Sequence, residues 1–204
     1  MINNDTIYAL SSANGKAAIA LFRISGNNCE EILSNLTNIK KIIPNKTTLV
    51  KVYKDKKKLE LADSGLITFY KSPKSYTGED LIELSVHGGF STIKIITNTL
   101  SKTNLCRIAE PGEFTRRAFE NNKLDLTQVE AVADLINAKT EFQRKQALGQ
   151  LDGFMGKKLN LWTNKIKKLL AVVETAIDFS EEEIPNNLIA KNKEQTENII
   201  KEIK

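Results

Sequence analysis

Apolar and polar positions alternate with a period of two through much of the first 110 residues. In IELSVH, residues 82–87, three aliphatic residues alternate with Glu83, Ser85 and His87, so a strand would present one apolar and one polar face. Similar short runs bounded by turn residues predict strands over 6–10, 17–24, 48–53, 64–70 and 104–109. The first half of the chain therefore contains several short strands.

Helical spacing interrupts these strands. Asn28 and Glu31 have the spacing of a capping box at a helix start, and apolar residues recur at helical spacing through 90–102. A further short helix is predicted to begin near Pro111. This mixture of strands and helices predicts an α+β domain over residues 1–121.

Residues 122–204 have an almost purely helical pattern. Thr127 and Glu130 are predicted to form a capping box, and apolar residues then recur every three or four positions over 148–176. We expect one long helix, interrupted or strained at the glycines within 153–156. A bundle helix is the favoured interpretation, with a membrane-surface or cofactor-lining helix as the alternative.

An acidic run, DFSEEEIP, precedes the last helical pattern. The run ends at Pro185, and helical spacing resumes near Leu188 and continues to Ile203 without a glycine cap. We therefore expect the chain to stop inside a helix. Together with the preceding pattern, this predicts an all-α helical-bundle segment after the α+β domain.

Composition and charge narrow the class of protein. Hydrophobic residues make up 41% and charged residues 27% of the 204 residues, which suits a folded domain with a core. The net charge of +5 is compatible with nucleic-acid association. The basic run KDKKK at 54–58 is interpreted as a solvated hairpin tip, with a phosphate-binding patch as the alternative. Without a long apolar run or a signal-peptide pattern, we expect a cytoplasmic protein outside the membrane.

Candidate chemistry is sparse. Cys29 and Cys106 are far apart and have no nearby histidine, so no metal site is predicted and both are expected to be buried thiols. Neither Gly15-Lys16 nor Gly156-Lys157 lies in a GxxxxGK[ST] motif, so no P-loop is present.

Two residues have open interpretations, and no catalytic residue is assigned. His87 is the only histidine, and no GxSxG motif accompanies it. It is interpreted as a hydrogen-bonded structural or pocket-lining residue, with a general base as the alternative. Lys123 lies on a short hinge between the two parts, where it faces a shared cleft or is a solvated linker lysine.

Four separated blocks carry a resemblance to a known family. They are DTIYALSSANGKAAIALFRISG (5–26), YTGEDLIELSVHGG (76–89), residues 109–136 and AIDFSEEEI (176–184). In sequence, order and spacing they resemble the tRNA-modification GTPase family MnmE, also called TrmE. The first turn, residues 13–18, lacks the proline and extra glycines that are usual in the family.

The resemblance implies a domain organisation. Residues 1–121 would form a folate-binding and dimerising domain, similar to the aminomethyltransferase of glycine cleavage. Residues 122–204 would form part of a helical domain, and we expect the chain to stop just before the GTPase domain that the family inserts there. GTP, magnesium and potassium would then bind only in that GTPase domain.

The resemblance also implies a ligand site at Arg23, Glu83 and Lys123 for a 5-formyl-tetrahydrofolate-type molecule. A carboxylate such as Glu83 suits the adjacent ring N–H and amine of a pterin. Arg23 and Lys123 suit the tail carboxylates and the one-carbon carbonyl, and which of them contacts which group stays open.

The implied function is part of tRNA modification. Family members work with an FAD-dependent partner, MnmG (GidA), on C5 of the wobble uridine (U34) of certain tRNAs. This chain would bind folate, form a homodimer and dock the partner. One alternative is a dimerisation scaffold with a degenerate folate pocket. Another is a stand-alone folate-dependent methyl- or aminomethyltransferase.

Overall fold

The computed structural model describes residues 5–13, 15–178 and 186–203. The chain forms two compact units, Met1–Leu124 and Asp125–Lys204, which we call unit 1 and unit 2. The predicted turn residue Asn14 and the acidic run before Leu188 lie outside the described residues, apart from Asp178.

Unit 1 is built on a six-stranded sheet in the order β3-β4-β5-β2-β1-β6. The strands are β1 (Ile7–Leu10), β2 (Ile19–Ser25), β3 (Thr48–Asp55), β4 (Glu60–Tyr70), β5 (Leu81–His87) and β6 (Arg107–Ile108). Neighbouring strands are antiparallel except β1 and β6, which are parallel. The helices are α1 (Cys29–Leu36), α2 (Phe90–Lys102) and α3 (Glu113–Glu120). The predicted α+β class is confirmed.

One face of the sheet forms the core of unit 1. Ile82, Leu84 and Val86 of β5 are buried, as the alternating pattern predicts, together with Phe22 of β2 and Ile67 of β4. The buried residues that α1 and α2 contribute to the same core are Cys29, Ile32, Leu33, Leu36, Ile96 and Leu100. Because strand side chains alternate, the polar residues of β5 lie on the other face, which the core helices leave open.

Two predictions about local structure in unit 1 are wrong. Asn28 is the N-cap of α1, but its side chain makes no capping bond because Nδ2 donates to the carbonyl of Leu105 at 2.8 Å. The strand expected over 104–109 has only two residues, since β6 spans Arg107–Ile108. The lysine-rich run does lie at a hairpin tip, where Leu59 closes the turn with a backbone hydrogen bond to Lys56.

Unit 2 is all helical, as predicted. Its helices are α4 (Leu126–Asn137), α5 (Glu141–Leu151), α6 (Phe154–Asp178) and α7 (Asn186–Ile203). The pattern expected as one helix from residue 148 is divided between α5 and α6. Gly153 separates them with a φ of +81°, a left-handed conformation that glycine adopts without a Cβ clash. In the described helices, none combines the length and apolar composition that a bilayer crossing requires.

The capping box of α4 lies two residues before the predicted one. Asp125, rather than Thr127, is the N-cap, and its carboxylate accepts from the Gln128 amide at 2.9 Å. Gln128 returns the bond, with Oε1 accepting from the Asp125 amide at 2.9 Å. Thr127 instead donates its hydroxyl to the Asp125 carboxylate at 2.7 Å. The helix therefore begins earlier than the apolar periodicity suggested.

Candidate functional site

Arg23 and Glu83 form an ion pair on the open face of the sheet. The antiparallel register of β2 and β5 sets these two residues directly opposite each other. Arg23 Nε and Nη2 both donate to Glu83 Oε1, at 3.1 and 2.6 Å, and each side chain is 25% exposed. Such charge-assisted bonds are among the strong hydrogen bonds of proteins. We call this contact the site pair.

Aromatic side chains surround the site pair. Arg23 Cζ lies 5.3 Å from the centre of the Tyr76 ring and 5.9 Å from that of Phe114, both within cation–π range. The hydroxyl of Tyr70 donates to Glu83 Oε2 at a long 3.4 Å. Burial raises the pKa of Tyr70, and the negative charge of Glu83 raises it further, so this phenol stays a neutral donor.

Lys123, which follows α3, packs against the segment that carries Tyr76. Its Nζ donates to the carbonyl of Pro73 at 3.0 Å, and its aliphatic stem packs against Gly78, where an added Cβ would lie 3.2 Å from Lys123 Cγ. The residues 72–80, which we call the 72–80 segment, link β4 to β5. The structure thus brings Arg23 and Glu83 into contact and sets Lys123 against this neighbouring segment, with its side chain exposed.

His87 forms a separate pair at the far end of β5. Its Nδ1 lies 2.8 Å from Asp63 Oδ1, and its backbone amide donates to Asp63 Oδ2 at 2.9 Å. The His87 side chain is 75% exposed. Burial acts to raise the pKa of Asp63, but the hydrogen bonds from the His87 amide and ring outweigh it and lower the pKa. His87 is hydrogen-bonded, as expected, and Asp63 is a partner that sequence reasoning missed.

The first glycine of HGG permits a close backbone approach. Gly88 exchanges two backbone hydrogen bonds with Ala17 and Ala18, at 3.1 and 3.2 Å. A Cβ at Gly88 would lie 2.5 Å from the Ala17 carbonyl oxygen. This close approach fixes the entry of β2 beside the end of β5.

A partly buried ionic network was also missed by sequence reasoning. Its members, from the position two residues before β1, the 72–80 segment, β6 and α3, are Asp5, Glu79, Arg107, Glu113 and Arg117. Arg107 donates from Nη1 and Nη2 to the two oxygens of Glu113, at 2.9 and 2.6 Å. The i,i+4 spacing of Glu113 and Arg117 was the available signal, but it predicts only a weak surface pair.

The two cysteines differ in exposure. Cys29 is buried, and its Sγ donates to the carbonyl of Asp80 at 3.2 Å. Cys106 is half-buried, so the expectation of two buried thiols is correct only for Cys29. Burial raises the pKa of both thiols. No group of three or more histidine, cysteine, aspartate or glutamate side chains in the described ranges is placed to hold a metal ion.

Comparison with known proteins identifies the family. Residues 6–123 match the family model for the N-terminus of the GTP-binding protein TrmE, and residues 126–204 match the model for the MnmE helical domain. The chain belongs to the MnmE (TrmE) family. The site pair and Lys123 all lie within the TrmE N-terminal match.

Curated relatives in the MnmE family are much longer than this chain. A tRNA modification GTPase MnmE from Parvibaculum lavamentivorans is 46% identical over 92% of the chain and 42% of its own length. The protein of the same name from Rickettsia typhi is 41% identical over 98% of the chain and 44% of its own length. The chain therefore spans less than half the length of these relatives, and it matches their N-terminal part.

Proposed function

We propose that unit 1 binds a reduced folate carrying a one-carbon unit, of the 5-formyl-tetrahydrofolate type, as part of a tRNA-modification protein. The observation that carries this proposal is the partly exposed Glu83 carboxylate on an open sheet face. Its Oε1 is taken by Arg23, whereas its Oε2 accepts the long bond from Tyr70 at 3.4 Å. A planar ligand with adjacent N–H donors is the chemistry that suits this acceptor.

The surroundings of Glu83 suit the rest of such a ligand. Tyr76 and Phe114 offer aromatic surface to a flat heterocycle. Arg23, which is bonded to Glu83, and Lys123, which packs against the 72–80 segment, are suitable cations for tail carboxylates or a formyl oxygen. No general base is assigned, so the proposed role is ligand binding.

The proposed biological role follows from family membership. The relatives are named tRNA modification GTPases, and we propose that this chain contributes folate binding, homodimerisation and docking of the FAD-dependent MnmG partner to modification of the wobble uridine. GTP hydrolysis would need the GTPase domain of the full-length family protein. Because tRNA is the proposed substrate, the cytoplasm is the proposed compartment.

Calorimetric titration of the 204-residue chain with 5-formyl-tetrahydrofolate tests the site. Glu83→Gln keeps the shape but removes the charge, so we expect affinity to fall about 10- to 100-fold, the usual cost of a lost charge-assisted bond. Glu60→Gln is the matched control, since Glu60 is also a strand glutamate paired with a cation, Lys54, at 2.6 Å. Glu79 is unsuitable as a control because it belongs to the ionic network of Arg117.

Arg23→Ala and Lys123→Ala are also expected to weaken binding. Each would leave ligand oxygen atoms without a charged donor. Equal folate affinities for the wild type and Glu83→Gln would show that folate does not bind to this face of the sheet through Glu83. Absence of saturable folate binding by the folded wild-type chain would instead favour the alternative function, a dimerisation scaffold with a degenerate pocket.

A further inference from the structure

One buried arginine joins the segments that surround the site pair. Arg117 of α3 is only 4% exposed, and its guanidinium reaches three carboxylates. Nη2 lies 2.7 Å from Asp5 Oδ1 and 3.0 Å from Glu113 Oε1, while Nη1 lies 3.2 Å from Glu79 Oε2. Nη1 also donates to the backbone carbonyl of Asp5 at 2.8 Å. Arg117 therefore connects α3, the start of β1 and the 72–80 segment.

Glu79 extends this connection to the strand that carries Arg23. The Ser25 hydroxyl donates to Glu79 Oε2 at 2.7 Å and lies 2.7 Å from the Thr77 hydroxyl. Ser25 is two residues after Arg23 in β2, and therefore lies on the same face of the sheet. At the C-terminal end of α3, Asn121 Nδ2 donates to the carbonyl of Thr77 at 2.7 Å. The 72–80 segment is thus held both to α3 and to β2.

The two rings beside Arg23 are carried by the two segments that Arg117 joins. Tyr76 lies in the 72–80 segment and Phe114 in α3. The Tyr76 hydroxyl lies 2.9 Å from the Thr115 hydroxyl, which links the same two segments close to the rings. The contacts between α3 and the 72–80 segment thus hold the two rings that flank the Arg23 guanidinium.

We propose that Arg117 is a positioning residue for the folate site, acting through α3 and the 72–80 segment to hold Tyr76 and Phe114 around the site pair. The ligand part of this inference rests on the proposed function. Lysine preserves the positive charge at residue 117 but lacks the planar fork that reaches Asp5, Glu79 and Glu113 together. Arg117→Lys therefore separates the geometry of the guanidinium from its charge.

The test compares Arg117→Lys with Arg116→Lys in the 204-residue chain. Arg116 is the neighbouring residue of α3, half-exposed and bonded to exposed Glu110 at 3.1 Å. Its Nη2 also lies 3.7 Å from Glu113 Oε1, a longer contact than the 3.0 Å of Arg117, so it is the control for an arginine at the edge of the network. Folate affinity is measured by calorimetry and local order by hydrogen exchange of the unliganded chain. We expect Arg117→Lys to lower affinity on the order of tenfold, the usual scale for residues that orient a site from behind it. Arg116→Lys is expected to leave affinity unchanged.

Hydrogen exchange separates a positioning role from a stabilising one. Positioning predicts faster exchange confined to the 72–80 segment and α3, with β2 and β5 protected as in the wild type. Uniformly faster exchange across the sheet, or wild-type affinity in Arg117→Lys, would overturn the proposal. If the wild type binds no folate, the proposed function fails, but the positioning role is still tested by hydrogen exchange. Faster exchange of Arg117→Lys confined to the 72–80 segment and α3 would then support this role, and uniformly faster exchange would refute it.

Discussion

At the scale of single residues, Glu113 gives unit 1 a defined dependence of stability on pH. Its side chain is 1% exposed. Burial acts to raise its pKa, but hydrogen bonds from Arg107, the Glu110 amide and Arg117 outweigh burial and lower the pKa to about 2 from 4.5. A carboxyl group with a lowered pKa stabilises the folded state when ionised, and this contribution is lost on protonation.

We therefore expect Glu113 to stabilise unit 1 fully above about pH 4.5 and progressively less as the pH falls toward 2. A pKa difference of about 2.5 corresponds to about 3 kcal/mol of unfolding free energy. Urea unfolding at a series of pH values measures it. All four tyrosines lie in unit 1 and the single tryptophan lies in unit 2, so tyrosine signals report on unit 1.

Glu113→Gln is the informative variant for this prediction. The amide keeps the shape and one acceptor but does not titrate between pH 2 and 4.5, so the pH dependence of unit 1 should become flatter there. The exposed pair of Glu141 with Arg144 in unit 2 gives a control variant, Glu141→Gln. An unchanged pH profile in Glu113→Gln would show that other carboxylates carry the acid sensitivity.

The site pair shows what the sequence can and cannot predict about single residues. The period of two correctly placed Glu83, Ser85 and His87 on one face of β5. It gave no information on the register between strands 60 residues apart, which is what brings Arg23 onto Glu83. The Asp63 partner of His87 was missed for the same reason, since register is set by the whole sheet rather than by local pattern.

At the scale of elements, the start of α4 depends on Asp125. Asp125→Ala removes an N-cap acceptor and the Thr127 hydroxyl's partner, so we expect unit 2 to lose about 1 kcal/mol of unfolding free energy. Glu130→Gln, at the position predicted from sequence for the other half of a capping box, is expected to be neutral. Urea unfolding followed by Trp162 fluorescence checks both. A larger loss in Glu130→Gln would contradict the observed cap.

Element types were predictable because they follow from periodicity, whereas element ends follow from particular contacts. The pattern over 90–102 matches the bounds of α2, Phe90–Lys102. The two capping predictions failed for different reasons. Asn28 donates to Leu105 instead of capping, and Asp125 precedes the predicted Thr127. The break at Gly153 was expected within a few residues, since glycine is the residue that adopts a positive φ.

At the scale of the whole molecule, the open face of the sheet in unit 1 carries both polar and apolar positions. Pairing across strands places Leu49, Leu66, Ser85 and Leu21 in one row over β3, β4, β5 and β2. Leu66 is 47% exposed, and Leu49 is also exposed. The neighbouring row contains Thr68, Glu83 and Arg23. An exposed apolar row beside the proposed ligand site is a suitable surface for a second copy of unit 1.

We accordingly expect the chain to form a dimer at micromolar concentration through this row. Leu66→Lys would place a charge in the apolar contact, so the dimer dissociation constant should rise by at least about tenfold. The matched control is Ile136→Lys, which changes an equally apolar and more exposed residue, on α4 of unit 2. Sedimentation equilibrium of the three proteins measures the constants, and tyrosine circular dichroism checks that unit 1 stays folded. A charge weakens a dimer only where it lies in the dimer contact. A monomeric wild type, or a dimer weakened by Ile136→Lys but not by Leu66→Lys, would therefore rule out this face as the interface.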